Sequence, residues 1–337
     1  MCRLISLRRS AHRLQTLSVQ QFRIHIGPLS VKGSVFLAPM ANFSDSPYRR
    51  ICRKFGLGLS YSELAPADAI VRRQKKFISL FRHEEDERPV VLQLFGCDPE
   101  IVAEAAVVAE EYGADIIDLN MGCSVKDIVN QGAGAGLLQN PALAAQIIEE
   151  MKKRVRVPVT AKIRAGWDHS SLNYREVGRM LEGSGVSAIS MHGRTKSQGY
   201  SGLADWSLIA DLKETVNVPV FGSGDVADYQ QALEKTRRYG VDGVLIGRQA
   251  MGNPWIFAGS HREEQTDEEI ICIAALHFEM MIDHTGPLAA VLFRKHMARY
   301  FAEARLEGLR RAMFTIEENE QLRDALAYAR ERIPVRS

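Results

Sequence analysis

The sequence predicts an α/β fold, a (β/α)8 TIM barrel, followed by a C-terminal all-helical domain. Between residues 35 and 246, short runs rich in Val, Ile and Leu recur eight times, and amphipathic stretches lie between them. Eight short strands that alternate with helices are typical of this barrel. Polar or glycine-rich residues follow nearly every run, as expected where the carboxyl ends of many strands form one site. An open doubly wound sheet is the main structural alternative, but no G-x-G-x-x-G motif follows the first run.

The elements of the predicted barrel can be placed individually. In chain order, the strands are Val35–Ala38, Leu59–Tyr61, Val90–Leu94, Ile116–Leu119, Val159–Ile163, Ala188–Met191, Val218–Phe221 and Gly243–Ile246. The amphipathic stretches that we assign to helices include Pro99–Tyr112, Pro141–Lys153, Tyr174–Gly183 and Asp228–Tyr239.

The character of the sequence changes after Trp255. Residues 259–337 contain no strand-like run and hardly any glycine. Apolar residues at three- and four-residue spacing predict helices over Glu268–Asp283, Ala289–Leu306 and Ala312–Arg330. We therefore divide the chain into an N-terminal extension (1–27), a barrel (28–258) and a helical domain (259–337).

The composition is that of a globular protein. Of 337 residues 46% are apolar, and 43 Lys and Arg against 41 Asp and Glu give a formal charge of +2. No run approaches the roughly 20 apolar residues of a bilayer span, so we predict no membrane-spanning segment. The near-neutral charge excludes histone-like electrostatics but not a local basic face. The five cysteines are scattered without a C-x-x-C pair, so we expect no metal.

The N-terminal stretch has a biased composition. Residues 1–44 contain no Asp or Glu but five arginines, which are Arg3, Arg8, Arg9, Arg13 and Arg23. Such a leader is compatible with an organelle transit peptide, a loose tail, or a start codon placed too early. We expect a cytoplasmic protein and leave an organellar location open.

The last two predicted strands end in glycine-bearing loops. Ser223-Gly224-Asp225 follows the seventh strand, and Gly247-Arg248 follows the eighth. In such barrels these two loops commonly bind phosphate, because glycine lets backbone amides approach the anion and arginine adds a charge-assisted hydrogen bond. Two ordinary turns are the alternative.

Three polar side chains end predicted strands that would otherwise be buried. Lys162 requires an anion or an electron-rich ring nearby, forms a Schiff base, or reaches solvent, because a bare buried ammonium is costly. His192 ends the sixth strand and can meet the same phosphate or ring, or fill a structural place. Gln93 offers a donor and an acceptor, which suits a flat heterocycle.

A thiol stands directly beyond the fourth predicted strand, in Asn120-Met121-Gly122-Cys123-Ser124. An unperturbed thiol has a pKa of ~8.5 and is protonated at pH 7, so it acts as a proton donor where no strong cation is adjacent. Packing is the alternative role for one cysteine. Cys97, after the third strand, is a competing thiol on the same rim.

Taken together, these motifs resemble the tRNA-dihydrouridine synthases, and most closely their bacterial B-type branch. The likeness runs from about Gly33 to the end of the chain. It rests on fragments in one order at the predicted strand ends and in the helical domain: Leu37-Ala38-Pro39-Met40-Ala41, Asn120-Met121-Gly122-Cys123, Ala161-Lys162-Ile163-Arg164-Ala165-Gly166-Trp167, Met191-His192-Gly193-Arg194-Thr195, Ser223-Gly224-Asp225, Gly247-Arg248-Gln249-Ala250-Met251-Gly252-Asn253-Pro254-Trp255 and Arg294-Lys295-His296.

The resemblance implies an FMN-dependent enzyme that reduces the C5–C6 double bond of a tRNA uridine with NADPH. It implies that Cys123 is the general acid and that Asn120 positions the uracil. The residues implied to hold FMN lie under the isoalloxazine, at its polar edge, or at the ribityl phosphate: Pro39, Met40, Ala41, Gln93, Lys162, His192, Ser223, Gly224, Asp225, Gly247 and Arg248.

The sequence departs from the family pattern at two motif positions. Ser124 follows Cys123 where the family usually has proline, which frees the loop that aims the thiol. Ser223 stands in place of the usual asparagine and still offers a hydroxyl to phosphate. The N-terminal extension has no family counterpart.

A tRNA substrate requires a cationic surface. In the helical domain, Arg294, Lys295 and Arg299 lead a set of basic residues that includes Arg305, Arg310 and Arg311. A solvated helix face is the alternative interpretation. Glu63, Lys126 and Arg164 are further rim residues expected to meet the nucleotide. We expect a monomer, and no short motif encodes which uridine is reduced.

Three other functions fit parts of the pattern. A flavin barrel that reduces a free small molecule shares the cofactor residues but gives no reason for the basic helical domain. A Schiff-base aldolase would use Lys162. A non-catalytic tRNA-binding homologue would retain the fold and is favoured slightly by Ser124.

Overall fold

A computed structural model of the chain describes residues 22–303 and 306–332. Eight parallel strands close into a barrel in the order β10-β3-β4-β5-β6-β7-β8-β9. Their bounds are Val35–Leu37 (β3), Ser60–Pro66 (β4), Val90–Phe95 (β5), Ile116–Met121 (β6), Val159–Arg164 (β7), Ile189–His192 (β8), Val220–Ser223 (β9) and Gly243–Ile246 (β10). The predicted barrel is confirmed, because each of the eight apolar runs contains part of one strand.

Strand boundaries differ from those predicted most clearly in β4 and β9. β4 continues to Pro66, five residues past the predicted end, with a register shift against β5 between Tyr61 and Leu64. β9 begins at Val220, two residues later than predicted. At their carboxyl ends both strands continue past the apolar run, through polar or small residues such as Ser62 and Glu63 in β4 and Gly222 and Ser223 in β9.

Helices surround the barrel. Their bounds are Ser46–Lys54 (α1), Ala67–Val71 (α2), Lys75–Ile78 (α3), Pro99–Glu111 (α4), Lys126–Asn130 (α5), Pro141–Arg154 (α6), Tyr174–Gly183 (α7), Trp206–Thr215 (α8) and Tyr229–Tyr239 (α9). Several begin at a side-chain cap, and the carboxylates of Asp98 and Asp228 accept backbone amides at the starts of α4 and α9. Short 3-10 turns cover Ser79–Phe81, Glu85–Glu87, Gly134–Gln139, Arg248–Ala250, Pro254–Ala258, Arg262–Glu264 and Gly286–Leu288.

A two-stranded hairpin precedes the barrel and was not predicted. Arg23–Ile26 (β1) pairs antiparallel with Leu29–Lys32 (β2). Ile24, Ile26 and Val31 are buried against inward-facing barrel residues such as Phe36 and Phe221. The hairpin therefore closes the end of the barrel opposite the polar loops. The predicted extension of residues 1–27 contains β1, and its residues 1–21, with the leader arginines before Arg23, lie outside the described residues.

The C-terminal region consists of helices. They are Asp267–Thr285 (α10), Ala289–Tyr300 (α11), Glu307–Phe314 (α12) and Asn319–Arg332 (α13). Thr266 and Glu269 form a capping box at the start of α10. The predicted helix from Ala289 ends at Tyr300 rather than Leu306. In the described residues no helix is long and apolar enough to cross a bilayer.

The predicted helix Ala312–Arg330 is interrupted. Its residues lie in α12 and α13, with a break after Phe314. Asn319 explains where the second helix begins, because its side chain accepts the Ala290 amide and donates to the Gly286 carbonyl. These two hydrogen bonds hold the start of α13 against the link between α10 and α11.

Candidate active site

The carboxyl ends of the barrel strands bring most of the predicted site residues to one mouth. The strand register places Asn120 of β6 beside Lys162 of β7. It also places His192 of β8 beside Ser223 of β9. Residues distant in sequence are neighbours here because parallel strands end at the same edge.

Lys162 lies near the carboxyl end of β7 and is half-buried. No described residue accepts a hydrogen bond from its ammonium or forms an ion pair with it. Burial and the nearby Arg164 guanidinium lower the pKa of Lys162 to about 8, against the opposing effect of Asp118. A partly desolvated ammonium without a partner is stabilised by an anionic or electron-rich ligand.

His192 lies within the same positive region. Burial, and the charges of Lys162, Arg164, Arg194 and Arg248, lower the pKa of His192 to about 2. The imidazole is therefore neutral at physiological pH and able to accept or donate one hydrogen bond. Four cations around one ring produce the positive potential that a phosphate requires.

Asp225 holds two of these cations in place. Its carboxylate oxygens lie 2.6 Å from Arg194 Nη2 and 3.2 Å from Arg248 Nη2. Burial raises the pKa of Asp225, but hydrogen bonds from the Ala204 amide and Arg194 lower it overall. The predicted phosphate loop thus contains an acid that orients its arginines. Arg194, whose Nη1 lies 3.2 Å from His192 Nε2, was not among the predicted site residues.

The glycines of the two loops serve different purposes. Gly224 has a φ of +120°, and a Cβ there would lie 2.4 Å from the Ala204 Cβ, so this turn requires glycine. At Gly247 a Cβ would make ordinary van der Waals contacts, 3.7 Å from the Ala38 Cβ and 3.8 Å from the Met40 sulfur. The Ser223 hydroxyl donates to the Met191 carbonyl at 3.3 Å. These loops therefore fit a phosphate-bearing group through backbone and arginine donors.

The loop after β3 lies beside the loop after β10, because these two strands pair in the barrel. The Met40 amide donates to the Ser44 hydroxyl, and the Met40 carbonyl accepts from that hydroxyl. Met40 is buried, Pro39 is half-buried and Ala41 is exposed. The segment offers a fixed apolar surface, as a bound aromatic ring requires.

A chain of hydrogen bonds runs across β5, β6 and β7 and reaches the loop after β6 that carries Cys123, which we call the thiol loop. Thr160 Oγ1 and Gln93 Nε2 donate to the two oxygens of Asp118, at 2.6 and 2.8 Å. Asn120 Nδ2 donates to Gln93 Oε1 at 2.8 Å. Burial raises the pKa of Asp118 to about 6, against the hydrogen bonds that lower it, so Asp118 is largely ionised at neutral pH.

The thiol loop is tied at both ends. Asn120 Oδ1 accepts the Gly122 and Cys123 amides, at 3.1 and 2.9 Å. The Cys123 carbonyl accepts the Ala135 amide at 3.0 Å. Ser124 therefore follows a loop that is fixed without a proline. Cys123 is partly exposed, as is Cys97, whose thiol lies 3.0 Å from the Gln131 carbonyl.

The predicted rim residues differ in how buried their side chains are and in how many hydrogen bonds they form with the protein. The Arg164 guanidinium donates to the carbonyls of Gly122, Thr195 and Gly199, at 2.7–2.9 Å. Arg164 is 3% exposed and joins three loops, and its predicted contact with the nucleotide stays a prediction. Lys126 begins α5 and is exposed. Glu63 accepts the Asn42 amide, and burial raises its pKa.

The basic residues of the helical domain are partly neutralised. Arg294 Nη2 lies 3.1 Å from Glu317, and Lys295 Nζ lies 3.0 Å from Asp45. Arg299 is exposed and forms no ion pair with a described residue. Arg310 and Arg311 lie beside Glu307, and the predicted Arg305 falls outside the described residues.

One group of described residues has the spacing of metal ligands. The ligand atoms of Asp45, His277 and His296 lie within 4.8 Å of one another. The Lys295 ammonium already supplies a cation 3.0 Å from the same carboxylate. We therefore assign this group to the junction between the barrel and the helical domain.

The closed barrel with its polar site at the carboxyl ends of the strands defines a (β/α)8-barrel enzyme. Solved structures share this fold. Histamine dehydrogenase from Rhizobium sp. 4-9 superposes with a TM-score of 0.57 at 14% identity, covering 78% of this chain and 51% of that one. Morphinone reductase gives 0.52 at 12% identity, covering 72% and 89%. At such low identity the likeness establishes the fold alone.

Sequence comparison places the chain more narrowly. The family model for dihydrouridine synthase matches residues 36–333. A probable tRNA-dihydrouridine synthase of Rickettsia bellii is 37% identical over 287 residues, covering 82% of this chain and 88% of the relative. The tRNA-dihydrouridine synthase B of Pseudomonas aeruginosa is 37% identical over 288 residues, covering 83% and 87%. The chain belongs to the dihydrouridine synthase family, a family of flavin oxidoreductases, and the resemblance predicted from its motifs is confirmed.

Proposed function

We propose that this enzyme reduces the C5–C6 double bond of a uridine in tRNA, with FMN as its flavin and NADPH as the reductant. The half-buried Lys162 ammonium, which has no hydrogen-bond or ion-pair partner among the described residues, is the observation that carries the proposal. Such a group suits the electron-rich edge of a flavin ring. FMN, when bound, supplies hydride to the substrate carbon.

The residues around Lys162 have the donors that this cofactor needs. Arg194 and Arg248, oriented by Asp225, and the backbone at Gly224 and Gly247 would hold the phosphate end. Neutral His192 would donate or accept at the ring or ribityl chain. The Pro39–Ala41 segment would support the ring face, and Gln93 would offer its polar edge the amide hydrogen that it does not give to Asp118.

The protein's own chemistry centres on Cys123 in this proposal. The thiol gives its proton to C5 of the uracil, on the face opposite to hydride delivery. Asn120, which already accepts the Cys123 amide, would position the base. Because uracil accepts hydride poorly, hydrogen bonds to its carbonyl groups must strengthen as charge develops.

The base must leave its stack in tRNA before it can enter the mouth, which costs a few kcal/mol. Basic side chains on the helical domain, with Arg299 the most available, would supply phosphate contacts that offset this cost. Relatives from Rickettsia and Pseudomonas carry tRNA in their names, which supports this substrate. We place the enzyme in the cytoplasm as a monomer.

The test uses purified enzyme and unmodified tRNA transcripts. We expect a yellow protein that carries a flavin and forms dihydrouridine with NADPH. Colourless protein that cannot be loaded with FMN would overturn the cofactor proposal. Loaded protein that reduces its flavin but leaves tRNA unchanged would overturn the substrate proposal.

A further inference from the structure

The hydrogen-bond chain beneath the thiol loop connects a buried acid to the Cys123 backbone. Asp118 is fully buried, and Gln93 and Asn120 are 0% and 7% exposed. Water therefore does not compete for these groups, and each donor must face an acceptor within the protein. The orientation of each side-chain amide, in Gln93 and in Asn120, is therefore determined by the group next to it in this series of hydrogen bonds.

The direction of the hydrogen bonds in this series is set at the Asp118 end. An ionised carboxylate only accepts hydrogen bonds, so Gln93 must turn its NH2 group toward Asp118. The Gln93 carbonyl oxygen then faces Asn120, and Asn120 must donate a hydrogen bond to it from its own NH2 group. The Asn120 carbonyl oxygen is left for the amides of Gly122 and Cys123.

We propose that Asp118 is a positioning residue that sets the orientation of Gln93 and Asn120 and thereby holds the Cys123 loop in place. Thr160 anchors the other carboxylate oxygen of Asp118 and prevents it from turning. In this proposal the acid acts through the two amides and not by contact with the substrate or the thiol. Its importance for catalysis rests on the proposed function of Cys123, but its control of the loop does not.

Two substitutions that together reverse the direction of these hydrogen bonds test the positioning role of Asp118. Asn120→Asp introduces a second carboxylate, so Gln93 faces acceptors on both sides and its carbonyl is repelled by one of them. The additional change Asp118→Asn provides an NH2 group at the other end. Gln93 can then turn over, and every group in the chain is satisfied with the polarity reversed.

Hydrogen–deuterium exchange of the peptide 121–125 reports on the loop without requiring activity. At pH 8, where a carboxyl group is ionised, we expect Asn120→Asp to accelerate exchange of the Gly122 and Cys123 amides about tenfold. The double variant should return exchange to within about threefold of wild type. Ser62→Ala, which removes a hydrogen bond to the Gln93 backbone but none from the chain, is the matched control and should leave this peptide unchanged.

The outcomes separate the inference from the proposed function. A double variant that exchanges as fast as Asn120→Asp, or an Asn120→Asp variant that behaves as wild type, would overturn the role of Asp118. If Asn120→Asp does not fold, folding of the double variant supports the role and its failure to fold contradicts it. Dihydrouridine formation by Cys123→Ala would overturn the role of the thiol without affecting the exchange result.

Discussion

The Nε2 atom of His296, in the helical domain, lies 2.8 Å from the Oδ2 atom of Asp45 in the barrel. The other oxygen of Asp45 accepts the Tyr48 amide and caps α1. Lys295 adds an ammonium 3.0 Å from Oδ2. One carboxylate thus starts a barrel helix and binds α11, so the orientation of the helical domain on the barrel depends on it.

Acid should weaken this junction. His277 is fully buried beside Asp45, and burial and the His296 charge lower its pKa to about 4. The unfolded chain, with a histidine pKa of ~6.5, therefore binds a proton between pH 6.5 and 4 that the folded chain does not. This part of the stability is complete above pH 6.5 and is lost as the pH falls toward 4, by about 3 kcal/mol at most.

Calorimetry from pH 7.5 to 4.5 measures the effect. We expect Tm to fall across this range and to fall less steeply in His277→Asn. His169→Asn, at an exposed position, is the control and should retain the wild-type slope. Equal slopes in wild type and His277→Asn would show that this histidine is not held neutral by the fold.

Substitution of Cys123 should separate protonation of the uracil from reduction of the flavin. Cys123→Ala should reduce dihydrouridine formation about 10²–10⁴-fold, the usual loss on removing a general acid. Reduction of FMN by NADPH should be unchanged, because the thiol takes no part in it. Single-turnover absorbance and quantification of dihydrouridine measure the two steps. Cys97→Ala removes the other rim thiol and should affect neither; a loss there instead would assign the acid to Cys97.

The barrel was predictable because its strands are buried on both faces, so Val, Ile and Leu run continuously along them. The hairpin β1–β2 buries one face only, and its four-residue strands alternate, as in Ile24 and Ile26. No apolar run marks them. The division of the predicted helix after Ala312 depends on Asn319 contacting residues about thirty positions earlier, which local spacing does not encode.

The positions of the candidate residues at the strand ends were predictable, whereas their hydrogen-bond and ion-pair partners were not, and their roles stay predictions. Strand ends identified Lys162, His192 and Cys123 as neighbours, since parallel strands end together. The partners of Asp118 and Lys295 follow from strand register and from the packing of α11 on the barrel. Lys295 contacts Asp45, 250 positions away, so its charge could not be recognised as neutralised from the sequence.

Lys162 should have opposite effects on the free and the flavin-loaded enzyme. Its pKa in the fold is about 8, below the ordinary 10.4, so the unfolded chain binds more protons between those values and stability of the flavin-free protein rises with pH there. Lys162→Met should remove this rise and stabilise the flavin-free protein at pH 7, by about 1–3 kcal/mol.

The same substitution should weaken retention of FMN, because the ring loses its cationic neighbour. Thermal unfolding of flavin-free protein and FMN titration measure the two effects. Lys54→Met, at an exposed position on α1, should alter neither. A Lys162→Met protein that is less stable without flavin, or that binds FMN as wild type does, would contradict the assignment of this lysine.

The last prediction concerns how the helical domain meets tRNA. Binding through phosphates releases counterions, so affinity should fall steeply with salt, by about one unit of slope for each contact. Arg299 is exposed and has no described ion-pair partner, whereas Arg311 lies 2.7 Å from Glu307. We therefore expect Arg299→Ala to reduce the slope of log K against log salt by about one, and Arg311→Ala to change it much less. Filter binding of a tRNA transcript at several salt concentrations provides the slopes. If tRNA affinity is independent of salt, or if both variants reduce the slope equally, the paired and unpaired arginines do not differ as the structure indicates, and the tRNA must contact another face of the protein.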